Sequence, residues 1–396
     1  MRHTRIALAG LALTLACAIP SRAQQAHINL DWAPQRSGGS LVPFGANVIS
    51  PEVDDQRRVT FRLKAPRAQE VVLSAGTIAA ALDRKENSWP FTKSADGIWT
   101  LTIGPVPQNL YVYKLIVDGV SVVDPNNTLG NFGNQPGYST LVVHGDGAAY
   151  YDARPVPHGA ITRHVYRSKV TDGEREIYVY TPPGYDRSKT YPVLYLLGGS
   201  GEIASGWWLD GRAGYIADNL IADGKAVPMI IAMPNNQVVH RTDPQHAEKT
   251  FAVFDRELRG EIMPLVESQC KTRTDRRGRA IAGLSMGGRH AQLVGFKALD
   301  LFSSFGILSA GDPASETSTP EFLKDASATN GKVDYLLVGL GTHENLPDNR
   351  SVVFHQILQK HGITHDYAVG GHGAHDWATW RWLLHERLLP NLFRTK

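Results

Sequence analysis

The sequence predicts two folds in tandem, a small all-β sandwich followed by a mostly parallel sheet covered by helices on both faces. Three observations carry that expectation. Before about Gly147, short stretches alternate apolar and polar residues at the period of two that a half-buried strand needs. Beyond about Ile161, unbroken apolar runs alternate with stretches of helical spacing, the pattern of parallel strands buried on both faces. The chain has 396 residues, enough for two separate cores.

Taken in order, MRHTRIALAGLALTLACAIPSRAQQ opens with Arg2 and Arg5, runs apolar from Ile6 to about Ile19, and closes with Ser21 and Ala23 at small-residue cleavage positions. Residues 1–23 read as an export signal cut after Ala23. The apolar run of roughly 14 residues is short of the ~20 that cross a bilayer. Thr14 stands where a lipid-modified Cys17 would need an aliphatic neighbour. Residues 24–43, with Pro34 and Gly38-Gly39, read as a tether.

Residues 44–147 carry the sandwich. RRVTFRLK puts Val59, Phe61 and Leu63 on one face, and GIWTLTIG and LYVYKLIV repeat the alternation. LYVYKLIV meets VSVV across Asp118-Gly119, a strong hairpin signal. No helix is predicted here. Residues 148–160, with the connector ARPVPHGA, form a linker, and 161–396 form the second domain.

That domain opens with two strands, ITRHVYRS and REIYVYTPP, followed by the strand YPVLYLL and the helix GYIADNLIADG. PMIIAMP is a strand, FDRELRGEIMPLVESQ a helix, RAIAG a strand, and MGGRHAQLVGFKAL a helix. FSSFGIL and VDYLLVGL add two strands, Ser351 to Lys360 a helix, and Trp377 to Leu389 a closing helix. Ligands in such a sheet bind at the carboxyl ends of its strands.

Charge excludes one class of partner. The formal net charge is +3, from 41 basic and 38 acidic residues. Loss of Arg2, Arg5 and Arg22 with the signal leaves 38 of each. They are balanced in both halves, 11 against 12 from Gln24 to Ala160 and 27 against 26 beyond. A chain with no basic field is not built to bind nucleic acid. No histidine or cysteine spacing matches a metal site, so neither metal nor cofactor is predicted. Signal cleavage also removes Cys17, leaving Cys270 as a structural thiol. No other stretch is apolar for long enough to span a membrane, so the mature protein is expected to be soluble in the periplasm or outside the cell.

The chemistry centres on Gly283-Leu284-Ser285-Met286-Gly287, set between an apolar strand and a helix. G-x-S-x-G in that setting makes a sharp turn that exposes the serine hydroxyl at the top of a sheet. A serine hydroxyl is a weak nucleophile at neutral pH, so it needs a base within hydrogen-bond reach and a third group to orient that base. His290 rides on the helix that Ser285 starts and points with it. His372 and His375 lie in the last loop. His375 immediately precedes the closing helix and is the expected base, with His372 a loop residue bonded locally. After VDYLLVGL the acid is Glu344, with Asp348 as its competitor.

Acyl transfer also needs donors aimed at the developing oxyanion. The N–H of Met286 is one. Gly199 and Ser200, in the glycine-rich loop Gly198–Gly201, supply the other. No G-K-[ST] follows that loop, so it is not a phosphate cradle. Trp207 and Trp208, just beyond it, are candidate substrate contacts, and Trp380 is expected to pack.

These residues resemble a known group. YPVLYLLGG, GRAGYIADNLIADGKAVPMIIAMPN, RAIAGLSMGG and GAHDWATWRWLL are similar to secreted α/β-hydrolase esterases of the carbohydrate esterase family 1 and enterochelin-esterase kind. SPEVDDQRRVTFRLKAP and YVYKLIVDGVSVVDPNN resemble the immunoglobulin-like sandwich, similar to starch-binding modules, that precedes the catalytic domain in many of them. The resemblance implies hydrolysis of feruloyl or acetyl esters on plant xylan, with nucleophile, acid and base at Ser285, Glu344 and His375. Two positions depart from the family. LLHG is replaced by Leu197-Gly198-Gly199, and the acid is Glu where Asp is common. Alternatives on the same fold are a siderophore esterase, an acyltransferase, or an inert carbohydrate-binding protein in which Gly198 has disabled the oxyanion loop.

Overall fold

The computed structural model describes residues 48–131, 137–145 and 149–394, and the expected signal and tether lie outside them. Two antiparallel sheets come first. Glu52–Val53, Val59–Lys64, Ile98–Ile103 and Thr92–Lys93 form one; Ser88–Pro90, Val71–Ser74, Asn109–Val117, Tyr138–Val143 and Gly130–Asn131 form the other, with Val120–Val122 paired beside Asn109–Val117. The inward residues of both sheets, Phe61, Leu63, Leu73, Trp99, Tyr113 and Leu141 among them, share one core. The hairpin at Asp118-Gly119 has positive φ at both central residues, 48° and 82°, the geometry that favours this pair.

The expectation of no helix in this region fails. Gly76–Ala81 is helical, buries Ile78 and Ala79, and leaves Ala80 and Ala81 half-buried toward the second domain.

The second domain holds an eight-stranded sheet. Its strands are β1 (Ala160–Ser168), β2 (Gly173–Thr181), β3 (Val193–Leu197), β4 (Ile230–Pro234), β5 (Arg279–Leu284), β6 (Ser304–Leu308), β7 (Tyr335–Gly341) and β8 (Asp366–Gly370). Their order is β1-β2-β4-β3-β5-β6-β7-β8, antiparallel through β1, β2 and β4 and parallel from there on.

Period-two alternation sends Leu194 and Leu196 of β3 to one face and Tyr195 and Leu197 to the other. Each face meets its own layer of helices: Phe254, Leu258 and Val294 on one side, Ile216, Leu383 and Leu388 on the other. Cys270 is buried in the first layer as a free thiol. β8 is a strand the sequence reading missed. The helix expected at FDRELRGEIMPLVESQ begins earlier, at His246, and runs to Gln269 with a π-turn at Leu258–Ile262.

Arg381 ties the two parts together. It is buried; Nη1 donates to the Asp210 carbonyl at 2.7 Å, and Nη2 donates to Oδ1 of Asn109 at 2.5 Å. Its guanidinium lies over the Tyr151 ring at 4.9 Å. Nearby, the Asn219 amide donates to the carbonyls of Tyr150 and Asp152, which fastens the connecting segment to the helix Ala213–Ala222.

Candidate active site

Ser285 sits between β5 and the helix Met286–Gly295 with φ 51° and ψ −118°. Positive φ is costly for a side-chain-bearing residue, and crowding holds the turn in place. A Cβ on Gly283 would lie 2.5 Å from the Gly287 carbonyl carbon, and one on Gly287 would lie 2.5 Å from the Gly198 carbonyl oxygen. The glycines let the turn close against the neighbouring strand end, and the serine projects above it.

His375 follows β8. Its Nδ1–H donates to Oε1 of Glu344 at 2.7 Å, which fixes the tautomer and leaves Nε2 to accept from the Ser285 hydroxyl at 2.9 Å. Glu344, in the short 3₁₀ turn after β7, is 8% exposed. Its Oε2 accepts from the Ser309 hydroxyl at 2.6 Å and from the Gly341 N–H at 3.0 Å. Burial pushes its pKa up, but the bonds from His375, Ser309 and Gly341 outweigh that and hold it below the usual glutamate value. The carboxylate stays ionised where a neighbouring imidazolium needs a counter-charge.

The competing acid and bases lie elsewhere. Asp348 is exposed and makes no contact with His375. His290 is fully buried, donates through Nδ1 to the Met286 carbonyl at 2.9 Å, and is pushed down to about 4 by burial. His372 is exposed with φ 48° and makes no local hydrogen bond among the described residues, contrary to expectation.

One residue was missed. Ser309, at the end of β6 with φ 47°, joins Glu344 to Trp380, whose Nε1 donates to the Ser309 hydroxyl at 3.0 Å. The Trp380 ring stands edge-on to His375 with centroids 5.2 Å apart, so it packs as expected and also supports that imidazole. The available signal was position: Ser309 ends the strand between those that carry Ser285 and Glu344.

The glycine-rich loop lies against the serine. A Cβ on Gly199 would sit 2.6 Å from the Leu284 side chain and 3.5 Å from Cβ of Ser285. Gln237 braces this loop, donating Nε2 to the Gly199 carbonyl at 2.7 Å and accepting from the Gly201 N–H at 3.1 Å. The N–H groups of Met286 and Ser200 have no acceptor among the described residues.

Beneath the loop, Glu202 is 1% exposed, with neither carboxyl oxygen bonded among the described residues. Burial and then nearby Asp210 push its pKa up to about 8. A Cβ at position 198 would meet the Glu202 Cβ at 2.9 Å, so this acid fills the space a larger residue at 198 would need.

The two tryptophans do not reach the serine. Trp207 is buried, with Nε1 donating to the Leu197 carbonyl at 2.9 Å and its ring perpendicular to Trp377. Trp208 lines a separate cavity with His158, Tyr180 and Tyr215. Among the described residues no three His, Cys, Asp or Glu are grouped to hold a metal ion, and no helix is long and apolar enough to cross a membrane.

Comparison with known proteins places the chain in a family. The chain is 33% identical over 353 residues to an endo-1,4-β-xylanase/feruloyl esterase of Xylanibacter ruminicola, covering 87% of this chain and 46% of that protein. It is 29% identical over 167 residues to endo-1,4-β-xylanase Y of Acetivibrio thermocellus, covering 39% of this chain and 15% of that one. The chain thus spans less than half the length of these relatives.

Among solved structures, a family 1 ferulic acid esterase from Anaeromyces mucronatus in complex with ferulic acid superposes with TM-score 0.51 at 25% identity, over 61% of this chain and 93% of that one. The enterobactin esterase of Shigella flexneri, solved with enterobactin present, reaches TM-score 0.60 at 16% identity over 85% of this chain and 92% of its own, a likeness of fold. The esterase family model matches residues 168–390. The chain therefore belongs to the esterase family, and its second domain has the α/β-hydrolase type of fold.

Proposed function

We propose that the protein hydrolyses carboxylic esters on plant cell-wall polysaccharide, feruloyl or acetyl esters of xylan, through a serine acyl-enzyme. The observation that carries this reading is the unbroken hydrogen-bond chain Ser285–His375–Glu344 at the strand ends. Xylan as the polymer is supported by the relatives' names, which couple xylanase with feruloyl esterase and favour ferulate as the acyl group.

Ser285 Oγ attacks the ester carbonyl carbon while His375 Nε2 takes its proton. The carbonyl oxygen becomes an oxyanion and is held by the N–H groups of Met286 and Ser200, the latter in the loop shaped by Gly199. Ionised Glu344 stabilises the imidazolium. The tetrahedral intermediate collapses, the C–O bond to the alcohol breaks, and His375 returns the proton to the departing oxygen. Water, activated by the same nitrogen, then releases the acid and regenerates Ser285.

In this reading residues 1–23 are removed on export, 24–43 are a tether, 44–147 form an immunoglobulin-like module, 148–160 link it, and 161–396 catalyse. The mature protein works outside the cytoplasm on an ester-bearing carbohydrate. Ser285→Ala should lower kcat for methyl ferulate by roughly 10⁶-fold and abolish labelling by an organophosphonate. Undiminished hydrolysis by that variant sinks the proposal.

A further inference from the structure

Beside His375 a cleft of about 110 Å³ opens between the base loop and the N-terminal sheets. His372, His375 and Trp377 form one wall; Ala80, Ala81 and Asn109 belong to the other. Pockets that enclose a whole drug-sized ligand run to roughly 300–1,000 Å³. This cleft therefore takes one part of an ester.

Which part follows from the chemistry. The group that protonates the departing alcohol must stand beside it, so the alcohol lies on the His375 side of the serine. The carbonyl oxygen lies on the other side, toward Met286 and the glycine-rich loop. The cleft includes His375 and none of Ser285, Met286 or residues 198–201. We propose that it is the alcohol subsite, that the N-terminal module builds half of it, and that the alcohol it accepts is a sugar.

The polar groups suit a polyhydroxylated guest. Oδ1 of Asn109 already accepts from the Leu110 N–H at 2.8 Å and from Arg381, so the amide is oriented with its N–H₂ free of protein acceptors among the described residues. Across the cleft the exposed His372 imidazole is likewise uncommitted. Hydroxyls can bond to both, while Ala80, Ala81 and the Trp377 ring offer an apolar surface to the C–H face of a sugar. The small residues of Gly76–Ala81 keep that wall open.

This inference rests on the esterase reading above and is separable from it. The test compares methyl ferulate with a feruloylated arabinose oligosaccharide, two esters of one acid. In Ala81→Trp, which fills the cleft, in Asn109→Asp, which keeps the acceptor for Arg381 but loses the donor, and in His372→Ala, the sugar-to-methyl ratio of kcat/KM should fall by roughly tenfold. A ratio that stays put, or a change in feruloyl-to-acetyl preference on a common alcohol in its place, overturns the subsite. Failure of the unaltered enzyme to cleave these ferulates or the corresponding acetates overturns the esterase reading and this inference together. His372 is exposed, so its truncation keeps the test decisive if the tryptophan variant does not fold.

Discussion

Ser309 donates its hydroxyl to Oε2 of Glu344 at 2.6 Å, the oxygen that His375 does not use. The Glu344 carboxylate is thus held from two sides, and the second holder comes from the neighbouring strand. Ser309→Ala should lower kcat about tenfold. The lost bond favoured the ionised carboxylate, so the pKa of Glu344 should rise toward its usual value. The stability that ionised Glu344 contributes, present above its unfolded pKa and lost as pH falls through its lowered folded pKa, should shrink too. A Ser309→Ala protein whose stability keeps the pH dependence of the unaltered protein would show that Ser309 only packs.

Glu344→Gln keeps the shape but offers His375 no charge and permits the wrong tautomer, so kcat should fall by about 10³ to 10⁴. Asp348→Asn should stay within about twofold of the unaltered enzyme, as an exposed surface change does. Steady-state rates on methyl ferulate settle the choice, and a reversed order would make Asp348 the acid.

Burial lifts Glu202 from 4.5 to about 8, so between those values the folded chain holds a proton that the unfolded chain has released. Stability therefore falls as pH rises through that window, by up to about 1.4 kcal/mol per unit for this group. Glu202→Gln removes that slope. Its stability relative to the unaltered protein should grow from about pH 5 to about pH 8 and then level off. Urea unfolding at several pH values measures this, and a pH-independent difference would refute it.

Trp207→Ala should destabilise the fold by about 3–5 kcal/mol, because it empties a buried site and orphans the Leu197 carbonyl. Trp208→Ala should leave kcat/KM for methyl ferulate within about twofold, since its ring lines a different cavity. Thermal melts and initial rates on both variants check the pair. A specific loss of rate in the Trp208 variant would return it to the substrate site.

The eight-stranded sheet was legible because its central strands are buried on both faces and must be apolar throughout, as in VLYLL and IIAMP. The strand Asp366–Gly370 escaped because it lies at the sheet edge with only Ala368 buried, so no apolar run marks it. The helix Gly76–Ala81 is six residues long, too short for a periodicity to emerge, and its helical form depends on Ile78 and Ala79 reaching the core. The candidate nucleophile and base could be read from local motifs. Ser309 could not, since its contact with Glu344 spans 35 positions and arises only when two strands lie side by side. The directions of the two tryptophans were not legible, because successive helical residues point about 100° apart: Trp207 is buried, while Trp208 is half-buried and lines a cavity.

Arg381 lies on the same helix as Trp380, the residue that braces His375, and one of its nitrogens is bound to Asn109 in the N-terminal sheets. The N-terminal sheets are therefore wired into the frame that positions His375 and are no detachable accessory. Exchanging it for a related sandwich would transplant a mounting point as well as a wall. A graft lacking an acceptor at the position of Asn109 would leave one buried guanidinium nitrogen without its partner and His375 less firmly seated. In this architecture selectivity and catalytic alignment would be inherited together.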